Sequence, residues 1–113
     1  MMKNNLKIQI QGIGIDLARI DRFKDKPLLA KKILSSKEFI IYQSHSQPAQ
    51  YLAGRFAAKE AFIKAYRKPP LQDLATIEVL ADEDGAPFIL FKKRRYMVSI
   101  SHDGDYAVAM VII

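Results

Sequence analysis

The strongest helix signal in the sequence is Gln50-Tyr-Leu-Ala-Gly-Arg-Phe-Ala-Ala-Lys-Glu-Ala-Phe-Ile-Lys-Ala-Tyr-Arg67. The segment is rich in alanine, the residue with the highest helix propensity. Its large apolar residues recur at helical spacing and form one stripe: Leu52, Phe56, Ile63 and Tyr66. Because Pro69 and Pro70 cannot continue a helix, we predict one long helix over residues 50–67, with this stripe against the core.

The segment before this helix predicts one strand and three short helices. Isoleucines in near-alternation predict a strand over residues 7–15. Apolar residues at helical spacing predict short helices over residues 17–23 and 28–34. Ser35-Ser-Lys-Glu38 matches a capping box and predicts a helix that ends near Ser44.

The remaining third of the chain predicts strands. Runs of β-branched and aromatic residues lie at about residues 75–80, 87–91, 96–100 and 106–113. One strand, then helices, then a β-meander is the element order of an α+β fold with an antiparallel sheet. The last strand has no polar side chain after Tyr106, which indicates burial on both faces. A neighbouring subunit is the simplest cover for its second face.

Composition excludes several classes of protein. The chain has 113 residues, 18 Lys and Arg against 12 Asp and Glu, a net charge of +6, 50% hydrophobic residues and no cysteine. This length predicts a single domain, residues 1–113. The lack of cysteine excludes disulfide scaffolds, thiolate zinc sites and cysteine nucleophiles. We see neither a signal peptide nor an apolar run that could span a bilayer, and expect a cytoplasmic protein. The positive charge predicts an acidic partner.

Two glycines and a carboxylate in the first strand form the first candidate site. Gly12 and Gly14 lie two apart on one face, which indicates the close approach of another backbone or of a ligand. Asp16 follows at the predicted end of the strand. It is either a ligand for a hard cation or the N-cap of the next helix, and these two interpretations are evenly matched.

The long helix carries the second candidate site. Glu60 and Lys64 are four residues apart and share a face, as an exposed ion pair would. With Arg55 and Lys59 nearby, the same helix could instead hold a metal ion through Glu60 and oxyanions through the cations. Asp16 and Glu60 are a minimal carboxylate set for Mg²⁺.

Two further motifs lie in the predicted meander. Ser99-Ile-Ser-His102 offers two hydroxyls on one face and a histidine where the strand enters a turn, although no nucleophile-elbow motif supports a hydrolase. Lys92-Lys-Arg-Arg95 could bind nucleic acid, but there is no aromatic pattern for stacking bases, and a charged hairpin tip is the simpler interpretation.

Taken together, Gly12-Ile-Gly-Ile-Asp16, Phe56-Ala-Ala-Lys-Glu-Ala-Phe-Ile-Lys64 and Ser99-Ile-Ser-His102 resemble the holo-acyl-carrier-protein synthase family. This family is the small class of 4′-phosphopantetheinyl transferases, and the resemblance extends from about residue 10 to residue 113. It implies Mg²⁺-dependent transfer of 4′-phosphopantetheine from coenzyme A to a serine of an acidic acyl carrier protein, in fatty acid or polyketide biosynthesis. Adenosine 3′,5′-bisphosphate is the implied second product. It also implies a homotrimer whose active sites lie between protomers, without nucleic-acid or membrane partners.

The resemblance assigns roles to individual residues. Asp16 and Glu60 are the implied metal ligands and, with Lys64, the implied catalytic set. The implied coenzyme A-binding residues are Arg55, Lys59, Lys64, Gly85, Pro87, Ser101 and His102. The implied carrier-binding residues are Arg19, Arg22 and Lys32. Two segments depart from the family pattern, since residues 67–71 are shorter and stiffer than the glycine-rich segment usual there, and residues 24–27 are also short.

Two other functions compete with this one. A basic nucleic-acid-binding module would use residues 92–95 and would lose affinity steeply with salt. A non-catalytic assembly protein would use only the apolar last strand.

Overall fold

A computed structural model describes residues 9–68 and 73–113 of the chain. The start of the predicted first strand, at Lys7 and Ile8, and the predicted helix stop at Pro69 and Pro70 lie outside the described residues. Most of the unusual 67–71 segment also lies outside them. No helix in the described ranges combines the length and the apolar character that crossing a membrane requires.

Within the described residues, five strands form one antiparallel sheet in the order β1-β5-β4-β3-β2, and a long helix lies across one of its faces. The elements in chain order are β1 (Ile13–Arg19), a 3₁₀ helix (Ile20–Phe23), α1 (Pro27–Ile33), α2 (Ser36–Ser44), α3 (Pro48–Tyr66), a second 3₁₀ helix (Leu74–Thr76), β2 (Glu78–Ala81), β3 (Pro87–Phe91), β4 (Arg94–Asp103) and β5 (Tyr106–Ile112). The predicted α+β fold with an antiparallel meander is confirmed.

The first strand begins and ends later than predicted. Asp16 lies in the middle of β1, paired with Ala109 of β5, so the prediction that it ends the strand or caps a helix is wrong. Ile15 and Leu17 continue the two-residue alternation of the strand, and only the four residues Ile20–Phe23 are helical. The prediction placed Leu17 in a helix because Leu17, Ile20 and Phe23 are three residues apart. Leu17 also continues the two-residue spacing of Ile13 and Ile15, and so short a segment fits either pattern.

The long helix packs on the sheet through small residues. A Cβ atom at Gly12 would overlap the carbonyl oxygen of Ala65, and one at Gly14 would overlap that of Ala61. The predicted close approach of another backbone is therefore confirmed, and that backbone is α3. The predicted stripe does contact the core: Leu52 is fully buried, and Phe56, Ile63 and Tyr66 are half-buried and pack against it. The fully buried side of α3 also carries a set of small residues: Gly54, Ala57, Ala58, Ala61 and Ala65.

The two short helices form a corner against α3. The predicted capping box is confirmed, because the Ser35 N–H donates to Glu38 Oε1 at 2.8 Å and the Glu38 N–H donates to Ser35 Oγ at 3.3 Å. The long helix begins two residues earlier than predicted, at Pro48, where the missing N–H of proline costs nothing.

The fourth strand is longer than predicted and includes Ser101 and His102, whereas the residues just before β2 form a 3₁₀ helix rather than a strand. β5 buries Ala107, Ala109 and Val111 on the α3 side. Its other face is only partly covered within this chain. That side of the sheet exposes a group of large apolar residues, called here the open face: Ile13 (61%), Ile15 (59%), Leu17 (61%), Met97 (75%) and Met110 (38%).

Candidate active site

Asp16 and Lys64 face each other where β1 meets α3. Lys64 Nζ lies 3.2 Å from Asp16 Oδ1 and donates a hydrogen bond of 2.9 Å to the carbonyl oxygen of Ile15. Asp16 points toward α3 because it alternates along β1 with Ile15 and Leu17, which point to the open face. Since the Lys64 side chain keeps 54% of its exposure, the pair is accessible to a ligand.

Glu60 lies one turn before Lys64 on α3, beside Asp16. Burial raises the pKa of Glu60, the negative charge of Asp16 raises it further, and Lys64 lowers it. Lys64 forms its ion pair with Asp16 of β1. The sequence equally allowed an ion pair between Lys64 and Glu60 along the helix. The structure brings the three predicted catalytic residues together.

The donors at this position fit a magnesium ion. Mg²⁺ takes oxygen ligands, and protein sites often supply one or two carboxylates while substrate phosphates and water complete the octahedron. Asp16 and Glu60 are two such carboxylates, and their mutual repulsion would fall when a cation binds between them. Across residues 9–68 and 73–113 there is no group of three or more His, Cys, Asp or Glu side chains that could hold a metal ion. A metal held by this pair would complete its coordination with water or with substrate oxygens.

Lys59 is not available to coenzyme A, which corrects its predicted role. Its side chain is fully buried and its ammonium donates to Glu38 Oε1 at 2.6 Å and to the carbonyl oxygens of Ile33 at 2.6 Å and Leu74 at 3.1 Å. An ammonium has three N–H donors, and all three are used. Burial lowers the pKa of Lys59, while the neighbouring carboxylate raises it.

Arg55 lies on the other flank of α3 from the catalytic residues. At about 3.6 residues per turn, a separation of five residues places Arg55 roughly 140° around the helix axis from Glu60. Its guanidinium lies 4.3 Å from the centre of the Tyr51 ring, and its Nε is buried without a hydrogen-bond partner. The Tyr51 hydroxyl is also buried and unpartnered, and burial raises its pKa. Within one chain, Arg55 and Glu60 therefore point to different sides of α3.

His102 and Ser101 point to opposite faces of the sheet. A Cβ atom at Gly54 of α3 would lie 3.8 Å from His102 Nε2, so the imidazole lies beside the helix, next to the residue before Arg55. Ser101 pairs with Val108 and lies on the open face. As predicted, Ser99 shares the face of Ser101. The predicted coenzyme A set is therefore divided into groups that one protomer does not bring together.

The β2–β3 turn holds the two remaining predicted nucleotide contacts, Gly85 and Pro87. Gly85 has a φ of +85°, which favours glycine. Asp82 Oδ1 accepts hydrogen bonds from the N–H groups of Asp84 at 2.9 Å and Ala86 at 3.0 Å and so fixes the shape of the turn.

The three predicted carrier-binding cations do not share one helix face. Arg22, in the first 3₁₀ helix, lies over the rings of Phe23 and Phe56, near the catalytic flank of α3. Arg19 is the last residue of β1 and lies 6.0 Å from the Tyr106 ring centre on the open side. Arg19 and Arg22 lie on different sides because Arg19 belongs to the strand, whereas Arg22 belongs to the helical turn that follows it. Lys32 is exposed on α1.

The basic run of residues 92–95 is a hairpin tip, as predicted. Lys92 and Lys93 form the turn with positive φ, and Arg94 lies 5.6 Å from the Tyr96 ring centre. Arg95 stacks on Phe88 at 3.8 Å. The sequence analysis did not identify Glu38 as the partner of Lys59. The capping-box pattern indicates only the local hydrogen bonds between Ser35 and Glu38.

Comparison with known proteins gives a consistent result. A sequence model described as the 4′-phosphopantetheinyl transferase superfamily matches residues 12–111. A holo-[acyl-carrier-protein] synthase of Streptococcus uberis is 43% identical over 117 residues, covering 92% of this chain and 96% of the relative. The crystal structure of the Neisseria meningitidis holo-[acyl-carrier-protein] synthase superposes with a TM-score of 0.82 at 29% identity, covering 92% of this chain and 98% of that one. A Bacillus anthracis holo-(acyl-carrier-protein) synthase in complex with CoA (3′,5′-ADP) superposes with a TM-score of 0.80 at 33% identity, covering 93% and 96%.

Proposed function

The chain belongs to the 4′-phosphopantetheinyl transferase superfamily, and we propose that Asp16, Glu60 and Lys64 form its catalytic centre with a bound Mg²⁺. It is an enzyme that transfers 4′-phosphopantetheine from coenzyme A to an acyl carrier protein. The observation that supports this centre is the meeting of two carboxylates and one ammonium where β1 contacts α3.

The reaction determines what these residues must do. The carrier serine oxygen forms a bond to the phosphorus that bears pantetheine, and the bond from that phosphorus to the bridging oxygen breaks. The electron pair leaves with adenosine 3′,5′-bisphosphate, and the proton of the serine hydroxyl passes to a base, for which the carboxylates of Asp16 and Glu60 and a water molecule are the candidates. A metal bound by Asp16 and Glu60 would neutralise charge on the pyrophosphate oxygens. Lys64, fixed by its hydrogen bond to Ile15, presents a positive charge beside the same oxygens.

The active enzyme is proposed to be a homotrimer with sites between protomers. Within one chain, Arg55 is on the opposite flank of α3 from Glu60, and His102 lies beside the Arg55 end of the helix. A neighbour that covers the open face could place its Arg55 and His102 beside the catalytic centre. This arrangement would also bury the second face of β5, whose apolar residues predict such a cover.

The carrier protein is proposed to dock at the catalytic flank through Arg22 and Lys32, with Arg19 at the edge of the open side. Arg22 is held by two aromatic rings close to α3, so its charge is pre-organised. An acidic partner is expected because the chain carries a net charge of +6. Fatty acid or polyketide synthesis would supply such carriers, in the cytoplasm.

A mass-shift assay tests the proposed centre. Apo carrier protein incubated with coenzyme A, Mg²⁺ and the enzyme should gain the mass of phosphopantetheine, and Asp16→Asn or Glu60→Gln should abolish the gain in folded protein. Normal turnover in both variants would disprove the site.

The assignment to two protomers is tested by mixing inactive Arg55→Ala with inactive Glu60→Gln. If sites are shared, mixed trimers contain some intact sites and regain activity, whereas a site within one chain stays inactive.

A further inference from the structure

Glu38 and Lys59 form an ion pair without solvent exposure where the corner between α1 and α2 meets α3. Neither residue touches the catalytic centre. An ion pair in this position is not explained by stability alone, because the cost of removing two charges from water offsets much of their attraction. An apolar pair of the same volume often stabilises a fold as well or better.

The lysine joins three backbone segments. Besides Glu38, it binds the carbonyl oxygen of Ile33, the last residue of α1, and that of Leu74 in the second 3₁₀ helix. The carbonyls in the last turn of a helix have no partner within the helix, and a cation there is favoured. Lys59 therefore acts as a C-terminal cap for α1 that is delivered from α3.

The carboxylate joins two more segments. Glu38 Oε1 accepts from the Ser35 N–H at the start of α2, and Glu38 Oε2 accepts from the Val79 N–H of β2 at 2.7 Å. The negative charge lies at the N-terminal end of α2, where the helix dipole favours it. One ion pair thus fixes the end of α1, the start of α2, β2 and α3 relative to one another.

Sequence neighbours connect this pair to the proposed function. Lys59 directly precedes Glu60, and Ile33 directly follows Lys32. We propose that the buried Glu38–Lys59 pair is a positioning device that holds the Lys32 end of α1 at a fixed place relative to Glu60. The proposal rests on the proposed function, in which Lys32 contacts the carrier protein and Glu60 serves the reaction. Because both side chains are fully buried, the pair itself makes no direct contact with coenzyme A.

A kinetic comparison of three variants tests the proposal. Lys59→Met removes the cap and leaves Glu38 charged and buried, so this variant should have the lowest Tm. The double variant Lys59→Met with Glu38→Gln removes both charges and should regain most of the Tm. It cannot restore the ammonium that links Ile33, Leu74 and Glu38. Lys93→Met, at the exposed β3–β4 turn, is the control for loss of one lysine.

We expect the double variant to regain its Tm without regaining its affinity for carrier protein. In the double variant the KM for carrier protein should remain raised by about fivefold, which is the affinity that one misplaced charge contact at Lys32 can cost. The KM for coenzyme A should stay within about twofold of the wild-type value. A carrier KM that recovers together with the Tm would overturn the proposal, and so would a parallel rise in both KM values.

Hydrogen exchange on the unmodified enzyme provides a second test that does not depend on variants. The N–H groups of Ser35 and Val79, which donate to Glu38, should exchange as slowly as those in the centre of α3. Fast exchange would show that the corner opens independently and cannot position Lys32. A wild-type protein that fails to modify any carrier would instead contradict the proposed function, whatever these amides do.

Discussion

The contact between β1 and α3 predicts a large effect for a single added methyl group, Gly14→Ala. The Cβ atom would overlap the carbonyl group of Ala61 and lie 3.0 Å from the Ala65 nitrogen. All of these atoms are backbone, so no side chain can rotate away. Either α3 moves away from the strand or β1 leaves its place beside β5.

The magnitude follows from the space required. Carbon and oxygen atoms in ordinary contact need about 3.4 Å or more, so α3 would have to move on the order of 1 Å. Overpacking of a core typically costs about 1–3 kcal/mol, and a rigid backbone contact belongs at the upper end of that range. For a domain of this size the expected loss in Tm is about 10–20 °C. Because Glu60 and Lys64 move with the helix, kcat should also fall by roughly 100-fold.

Thermal unfolding and the carrier mass-shift assay measure the two effects. Gly54→Ala is the matched control, because its Cβ would meet a side-chain methyl of Ile100 at 3.3 Å rather than backbone. Alanine also gains about 1 kcal/mol over glycine within a helix, so the Tm of this variant should stay within a few degrees of wild type. A Gly14→Ala protein with unchanged Tm and kcat would refute the close contact and the role that we give it.

Three further predictions concern charge and assembly. Without divalent cations, Glu60→Gln should raise the Tm at pH 7. The pKa of Glu60 is higher in the folded protein than in the unfolded chain, where it is about 4.3, so ionisation of Glu60 destabilises the fold as pH rises through the folded pKa. Glutamine cannot ionise and avoids this loss. The difference should vanish in melts below about pH 4, and a lower Tm at pH 7 would contradict it. Met97→Lys should convert the proposed trimer to a monomer in a sizing measurement and abolish transfer, because the side chain is 75% exposed on the open face. A variant that keeps the size of the wild-type assembly would exclude that face. Lys92→Asn with Lys93→Gly should stabilise the hairpin by about 1 kcal/mol, since both positions have positive φ, and transfer activity should stay at the wild-type level.

The sequence predicted helices and strands most accurately where a single local pattern was present. The capping box at Ser35 and the alanine-rich helix were both confirmed because neither depends on distant contacts. The first strand was misjudged at Leu17, where two-residue and three-residue spacings overlap and only pairing with β5 decides between them. Residue type and order were enough to name the candidate site residues. They did not predict that Arg55 lies on the other flank of α3 from Glu60, because the direction of each side chain matters only once the sheet side of the helix is known.

The consecutive residues Lys59 and Glu60 show why charge type alone could not assign roles. Adjacent helix positions differ by about 100° in direction, so one of the two can face a cleft while the other faces the interior. Small residues on the sheet side bring α3 unusually close to β1, and this closeness turns Glu60 toward Asp16 and Lys59 toward the α1–α2 corner. The same rotation carries Arg55 away from both carboxylates. Because glycine and alanine hold α3 in this orientation, Arg55 points away from both carboxylates within one chain, and this is why the proposed site takes its arginine from a second protomer.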